Sequence, residues 1–168
     1  MDLTPYIGWI IFLHVLGAFL FVAGHGVSMF VAFRVRAETA DRARMAALLD
    51  FSGTALVVAY VGLLLLFVGG IVAGIVLGSW GRAWIWVSLV LFIGIAIAMT
   101  PLGISYFNRL RLALGIRTRD LKPTDPDPVP ASDAALAEIL KARNPELLLL
   151  VGAGGFVVIL WLMMFKPI

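Results

Sequence analysis

His14 and His25 are the only histidines of the chain, and no cysteine accompanies them. An imidazole can shuttle a proton near neutral pH or, when uncharged, offer a ring nitrogen to a metal. The two stand eleven residues apart inside Ile7–Phe33, a run of 27 residues without a charge. At ~3.6 residues per turn that is close to three turns, so both rings leave a helix on one face, roughly 16 Å apart along its axis. Gly17, Ala18, Phe21 and Ser28 share that face, and Gly24 and Gly26 flank His25. An imidazole in lipid is expensive without a partner, which makes an intramembrane histidine a functional hypothesis. Ordinary packing accounts for the same residues: a neutral histidine bonded to a neighbouring helix, with glycines that only let backbones approach.

The elements that must position these rings are membrane spans. Of 168 residues 62% are hydrophobic and 14% charged, with a mean hydropathy of +1.04, which excludes a soluble domain. Crossing a bilayer takes ~20 residues of helix. Four uncharged runs suffice: Ile7–Phe33, Phe51–Gly81, Ala83–Asn108 and Leu147–Phe165. None alternates with period 2, which argues against a β-barrel. The expected fold is an all-α membrane protein, a four-transmembrane-helix bundle forming one domain with spans at about 7–35, 51–78, 83–107 and 146–165. A cytoplasmic proline-rich linker and short amphipathic helix fall within 117–144. Without cysteine there is no disulfide, thiolate metal site or iron–sulfur cluster. The N-terminus lacks a basic n-region and its apolar run is too long for a signal peptide, so span one is read as permanent.

Basic residues orient the bundle. Eleven of the thirteen lie in the first and third connections, leaving Arg82 and Lys166 on the other side. The positive-inside rule then puts both termini on the non-cytoplasmic side. Trp9, Trp80, Trp84, Trp86 and Trp161 gather at or near that outer interface, where aromatic side chains anchor helices or cover a pocket mouth or partner. The basic balance reflects the lipid bilayer as partner; nothing points to nucleic acid.

In chain order, Thr39 is placed to cap a helix starting near Ala40, with Asp41 in its first turn, running unbroken into span two. Gly70, Gly74 and Gly78 form a small-xxx-small ladder, suited to close helix packing or to a flat slot for a planar ligand. The short Gly78–Arg82 connection forces a hairpin. Pro101 removes a helix hydrogen bond, frees the Ile97 carbonyl and predicts a kink. Lys122–Pro130 reads as an extended linker without a fold of its own. Ser132 or Asp133 then caps an amphipathic helix whose Leu136, Ile139 and Leu140 stripe is expected on the inner membrane surface. Asn144, Pro145 and Glu146 supply cap, first-turn proline and first-turn acid for span four, which Gly152, Gly154 and Gly155 let pack tightly.

At matched depth His25 lies level with Tyr60, Met99, Thr100 and Gly152, Tyr60 and Thr100 being ordinary hydrogen-bond partners for it. His14 lies level with Gly70, Gly74, Ser88, Trp161, Met163 and Met164. The spans contain no Asp, Glu, Lys or Arg, which argues against an ion-coupled transporter or proton pump.

The run Phe12-Leu-His-Val-Leu-Gly-Ala18, ending in Ala23-Gly24, resembles the opening helix of several small bacterial membrane families. These are the copper-resistance D-type membrane domain, the membrane b-haem protoporphyrinogen oxidase and a four-span group of unknown function. The four-span group fits best in length, in its first connection and in its glycine-rich second span. The resemblance implies a bacterial inner (plasma) membrane protein. In the oxidase the matching histidine is implicated in haem binding, which makes His14 a candidate ligand. The oxidase also relies on a lysine in a later span; no span here has one, which argues against the same reaction. Neutral imidazole is the usual proximal haem ligand, and small neighbours make room for the macrocycle.

The expected function is therefore b-type haem or related tetrapyrrole binding in a redox or electron-transfer role. His14 and His25 are the candidate metal ligands, with Gly17, Ala18, Gly70, Gly74, Tyr60 and Met99 around the cofactor. No histidine on another helix completes a bis-histidine site. Such a haem is five-coordinate, takes Met or Tyr, or sits between two copies; a magnesium tetrapyrrole needs only one histidine. Two other classes stand beside this one: a non-catalytic accessory subunit of a homo-oligomer or larger membrane complex, and a metal or small-molecule permease.

Overall fold

The computed structural model describes residues 2–38 and 41–167. It is all-α, with no strand among the described residues. Four helical stretches are long and apolar enough to cross a membrane: Thr4–Ala37, Arg42–Val76, Ala83–Ala113 and Asp133–Phe165. The first is α1 (Ile7–Ala37), entered through a 3₁₀ turn, and the second is α2 (Arg42–Val76). The third runs through α3 (Ala83–Met99), a π-helical turn over Thr100–Ile104 and α4 (Ser105–Ala113). After α5 (Asp133–Leu140), the fourth runs through α6 (Asn144–Leu148), a second π-helical turn over Leu149–Gly154 and α7 (Gly155–Phe165). Spans one and two form an antiparallel pair, as do three and four. Large apolar side chains such as Phe19, Phe30, Val90 and Leu150 face outwards. This is the four-helix membrane bundle that composition predicts.

Glycine joins α1 to α2. A Cβ at Gly17 would overlap Leu66 N and stand 2.7 Å from Gly62 O; one at Gly24 would stand 2.6 Å from Ala59 N. A Cβ at Gly62 would overlap Phe21 N. Lipid gives two apolar helices no hydrophobic reason to associate, so close backbone approach supplies the dispersion contacts instead. Farther along, Ser52 Oγ donates to Ser28 Oγ at 3.0 Å, both buried.

The basic end is built differently. Val31, Val35, Met45, Leu49, Tyr106 and Leu110 form a buried core that Leu136 and Leu140 of α5 complete. The stripe of α5 is thus buried in protein; it does not lie on a membrane surface. Ser132 Oγ caps α5 as predicted, accepting from Ala135 N at 3.3 Å. The proline-rich segment also has a defined path. Arg117 donates to the carbonyls of Lys122 and Asp125 and to the Asp127 carboxylate, while Arg42 donates to Ala131 O and Asp133 Oδ1, each at 2.7 Å. Fixed donors hold a chain that prolines have already stiffened, so the linker is a strap across the bundle's end.

Helix starts differ from expectation in two places. Asp41, expected in the first turn of α2, is the cap, accepting from Arg44 N at 2.9 Å; the predicted start at Thr39–Ala40 lies outside the described residues. Asn144 is not a cap: it is the first residue of α6, and its Nδ2 donates to Leu102 O at 3.0 Å. Glu146 takes a bidentate pair from Arg36 at 2.5 and 3.0 Å, tying the start of span four to the end of α1. Around Pro101 the backbone widens into a π-turn, which absorbs the missing donor by re-registering the hydrogen bonds. Gly78 (φ 60°) turns the hairpin between α2 and α3 in a left-handed conformation that side chains rarely adopt.

Candidate functional site

Two histidine sites result, and they differ in kind. His14 faces α2, where its Nδ1 lies 2.7 Å from Leu66 O. A carbonyl oxygen only accepts, so Nδ1 carries a proton; in the neutral ring this is the tautomer that leaves the lone pair on Nε2. The ring lies against Gly70, where a Cβ would stand 2.9 Å from His14 Cε1 and 3.0 Å from Nδ1, while Gly69 faces the Cα and Cβ of His14. One turn on, a Cβ at Gly74 would stand 3.1 Å from Trp80 Nε1. The ladder is flat because it receives planar groups, but these are the chain's own imidazole and indole. Space at Gly70 and Gly74 is therefore filled from within.

Gly17 is spent on the α1–α2 contact and Ala18 is half-buried, so neither opens a cavity beside His14. Ser88, expected at this depth, turns its hydroxyl onto Trp84 O of its own helix at 2.7 Å. Trp80 and Trp86 meet edge to face at 5.5 Å, and Trp86 Nε1 donates to Trp80 O at 2.9 Å. Lys166 Nζ stands 5.5 Å from the Trp84 ring centroid. The tryptophans do gather at one end, and three of them knit the α2–α3 hairpin and the C-terminal end together there.

His25 leaves the same face of α1 but meets other neighbours. Its ring stacks on Phe21, with centroids 5.5 Å apart and planes within 8°. A Cβ at Gly152 would stand 3.3 Å from His25 Nε2, 3.2 Å from Met99 Cε and 3.5 Å from Met99 Sδ. Imidazole and thioether thus both lie against Gly152. Met99 ends α3 just before the first π-turn, and Gly152 lies inside the second. The partners expected for His25 are elsewhere: Tyr60 is 60% exposed, and Thr100 Oγ1 donates to Ala96 O at 3.1 Å. Of the residues placed level with His25, Met99 and Gly152 reach it; Tyr60 and Thr100 do not.

Sequence reasoning missed the Leu66 carbonyl and the second π-turn. A backbone acceptor leaves no mark on residue type, whereas Gly152-Ala-Gly-Gly155 was a visible sign of unusual backbone in span four. Among the described residues no group of three or more His, Cys, Asp or Glu gathers for a metal. No family model, curated protein or solved structure matches the chain.

Proposed function

We propose that the chain is a redox protein of the bacterial inner membrane that binds a b-type haem or related tetrapyrrole through His14 Nε2. The observation that carries this reading is the 2.7 Å approach of His14 Nδ1 to Leu66 O. Metal-bound histidines commonly donate their second ring N–H to a carbonyl, which fixes the tautomer, orients the ring and raises the basicity of the ligating nitrogen. Gly70 seats that ring. The donor set suits a metal that takes a single axial imidazole, because Ser88 is engaged on its own helix and Met164 faces outwards. A bound haem would supply one-electron chemistry; the Leu66 carbonyl orients the ring so that Nε2 is the ligand nitrogen. The resemblance of the Phe12–Ala18 segment to the opening helix of the membrane b-haem protoporphyrinogen oxidase supports the same assignment.

The test is an absorption spectrum of the purified protein. A Soret band that disappears in His14→Gln while the helical signal persists supports the reading; a protein that stays colourless when supplied with haem overturns it. The orientation belongs to the same proposal, with the strap and α5 cytoplasmic and both termini outside, supported by the eleven-to-two division of basic residues. Reporters fused after Pro130 and after Ile168 should read opposite compartments, and identical readouts overturn the topology.

A further inference from the structure

We infer that Arg111 and Arg119, at the basic end of the groove between α2 and α4, bind the phosphate of an anionic phospholipid headgroup. The site is remote from His14 and depends on neither the haem assignment nor the orientation of the bundle. Three features carry it.

The first is where Arg111 stands. Its Nη2 donates to Leu49 O at 3.0 Å, and its Cζ lies 6.0 Å from the Phe107 ring centroid. The guanidinium therefore lies along α2 beside Asp50, where the uncharged run that opens at Phe51 begins. That border is headgroup depth. An arginine there covers apolar surface with its stem and presents its charge to the interface.

The second is charge left without a counter-ion. Arg34, Arg36, Arg42, Arg44 and Arg117 each pair with a carboxylate; among the described residues Arg111 and Arg119 do not. The turn carrying Arg119 folds back along α4: Ile116 N donates to Arg111 O at 2.8 Å, and Asn108 Nδ2 donates to the Asp120 carboxylate. Asp120 is thus engaged. The charges that reach Arg111 are Asp50, which attracts it short of an ion pair, and Arg119, which repels it. An anion held by both arginines relieves that repulsion, and the planar fork of a guanidinium matches phosphate oxygens.

The third is the surface that continues from the charge into the membrane. Val57 and Leu64 share the Gly53 face of α2 and are 59% and 64% exposed. Ile104, two turns before Arg111, is 53% exposed. Acyl chains can lie on this apolar wall while the phosphate meets the arginines, an arrangement a soluble anion does not use. Basic pockets between transmembrane helices are recurrent sites for anionic headgroups.

The experiment titrates delipidated full-length protein in a neutral detergent and counts bound lipid by native mass spectrometry. The probes are dioleoyl phosphatidylglycerol, dioleoyl phosphatidylcholine and glycerol 3-phosphate. Wild type should retain phosphatidylglycerol in preference to phosphatidylcholine, and glycerol 3-phosphate should not displace it. An arginine near the headgroups is worth roughly fivefold in affinity. Arg119→Gln and Arg111→Gln should each lose about that factor, and the double variant roughly the product. Arg119 is exposed and makes no hydrogen bond among the described residues, so Arg119→Gln reports on lipid even where Arg111→Gln weakens the fold. Asp50→Asn should tighten binding by removing the nearby carboxylate, whereas Arg82→Gln, at the opposite end of the bundle, should change nothing. Equal retention of both lipids by wild type would overturn the site, as would an unchanged preference in Arg119→Gln. Displacement by glycerol 3-phosphate at matched concentration would make the ligand a soluble anion and overturn the choice of lipid.

Discussion

The two ends of this bundle use different solutions to the same packing problem. At the basic end Val35, Met45, Leu49, Tyr106 and Leu110 are fully buried, α5 covers them, Arg36 and Arg42 bond across chain segments far apart in sequence, and Arg117 ties the strap to itself. That end resembles the interior of a soluble domain. Toward the tryptophan end, buried side chains are few, and helix backbones meet at Gly17, Gly24 and Gly62 or through a ring laid on Gly70 or Gly74. The contrast follows from the solvent. Where water surrounds the basic end, burying leucine contributes about 25 cal/mol per Å² and polar groups can be tied by charge. Within lipid, leucine gains nothing by leaving the surface, and only close contact and hydrogen bonds favour one arrangement. Both histidine sites lie on the glycine-packed side of this divide.

The contrast can be broken most severely at Gly62. Gly62→Leu drives a Cβ into Phe21 N and within 2.8 Å of Gly17 O, where only backbone could give way. We expect a loss above about 3 kcal/mol, seen as collapse of the thermal transition in detergent; a stable variant would show that α1 and α2 are not held by close approach. Next, Leu136→Ala removes a side chain that is 2% exposed in the basic-end core. A cost of about 2–3 kcal/mol is expected, measurable by thermal unfolding. A negligible cost would mean that α5 rests loosely on the bundle.

Arg36→Met sharpens the same end. It keeps the aliphatic stem but leaves Glu146 and the Ala142 carbonyl without their donor. Destabilisation smaller than that of Leu136→Ala is expected, and high salt should lower wild type toward the variant. Salt-independent stability in wild type would argue against the pair.

The smallest stability changes belong to single hydrogen bonds within the spans. His14→Gln still offers a donor to Leu66 O, so about 1 kcal/mol or less is expected, in sharp contrast with the loss of tetrapyrrole predicted above. Ser52→Ala removes one buried interhelical bond to Ser28 and should cost about 0.6 kcal/mol. A cost at either position approaching that of Leu136→Ala would erase the distinction between the two ends.

The membrane class, four spans, the hairpin at Gly78, the Ser132 cap, the Pro145 first turn and the unbroken approach to span two were all legible in the sequence. Each depends on local composition or on the conformational habits of a few adjacent residues. So was the choice of His14 and His25 as the residues to follow, because a polar ring in a charge-free run is conspicuous wherever it ends up. Which neighbour each ring would meet was not legible. Eleven residues place both on one face of α1, but that face passes α2 near His14 and the fourth span near His25, and only helix crossing decides this. Matched depth brought Met99 and Gly152 to His25 correctly and suggested Tyr60 wrongly, since depth along a helix says nothing of rotation about its axis. The strap and the α5 stripe depended on arginines many residues away. Period and charge along one chain determine what can cross a membrane; who touches whom inside it follows from contacts between segments that no single stretch encodes.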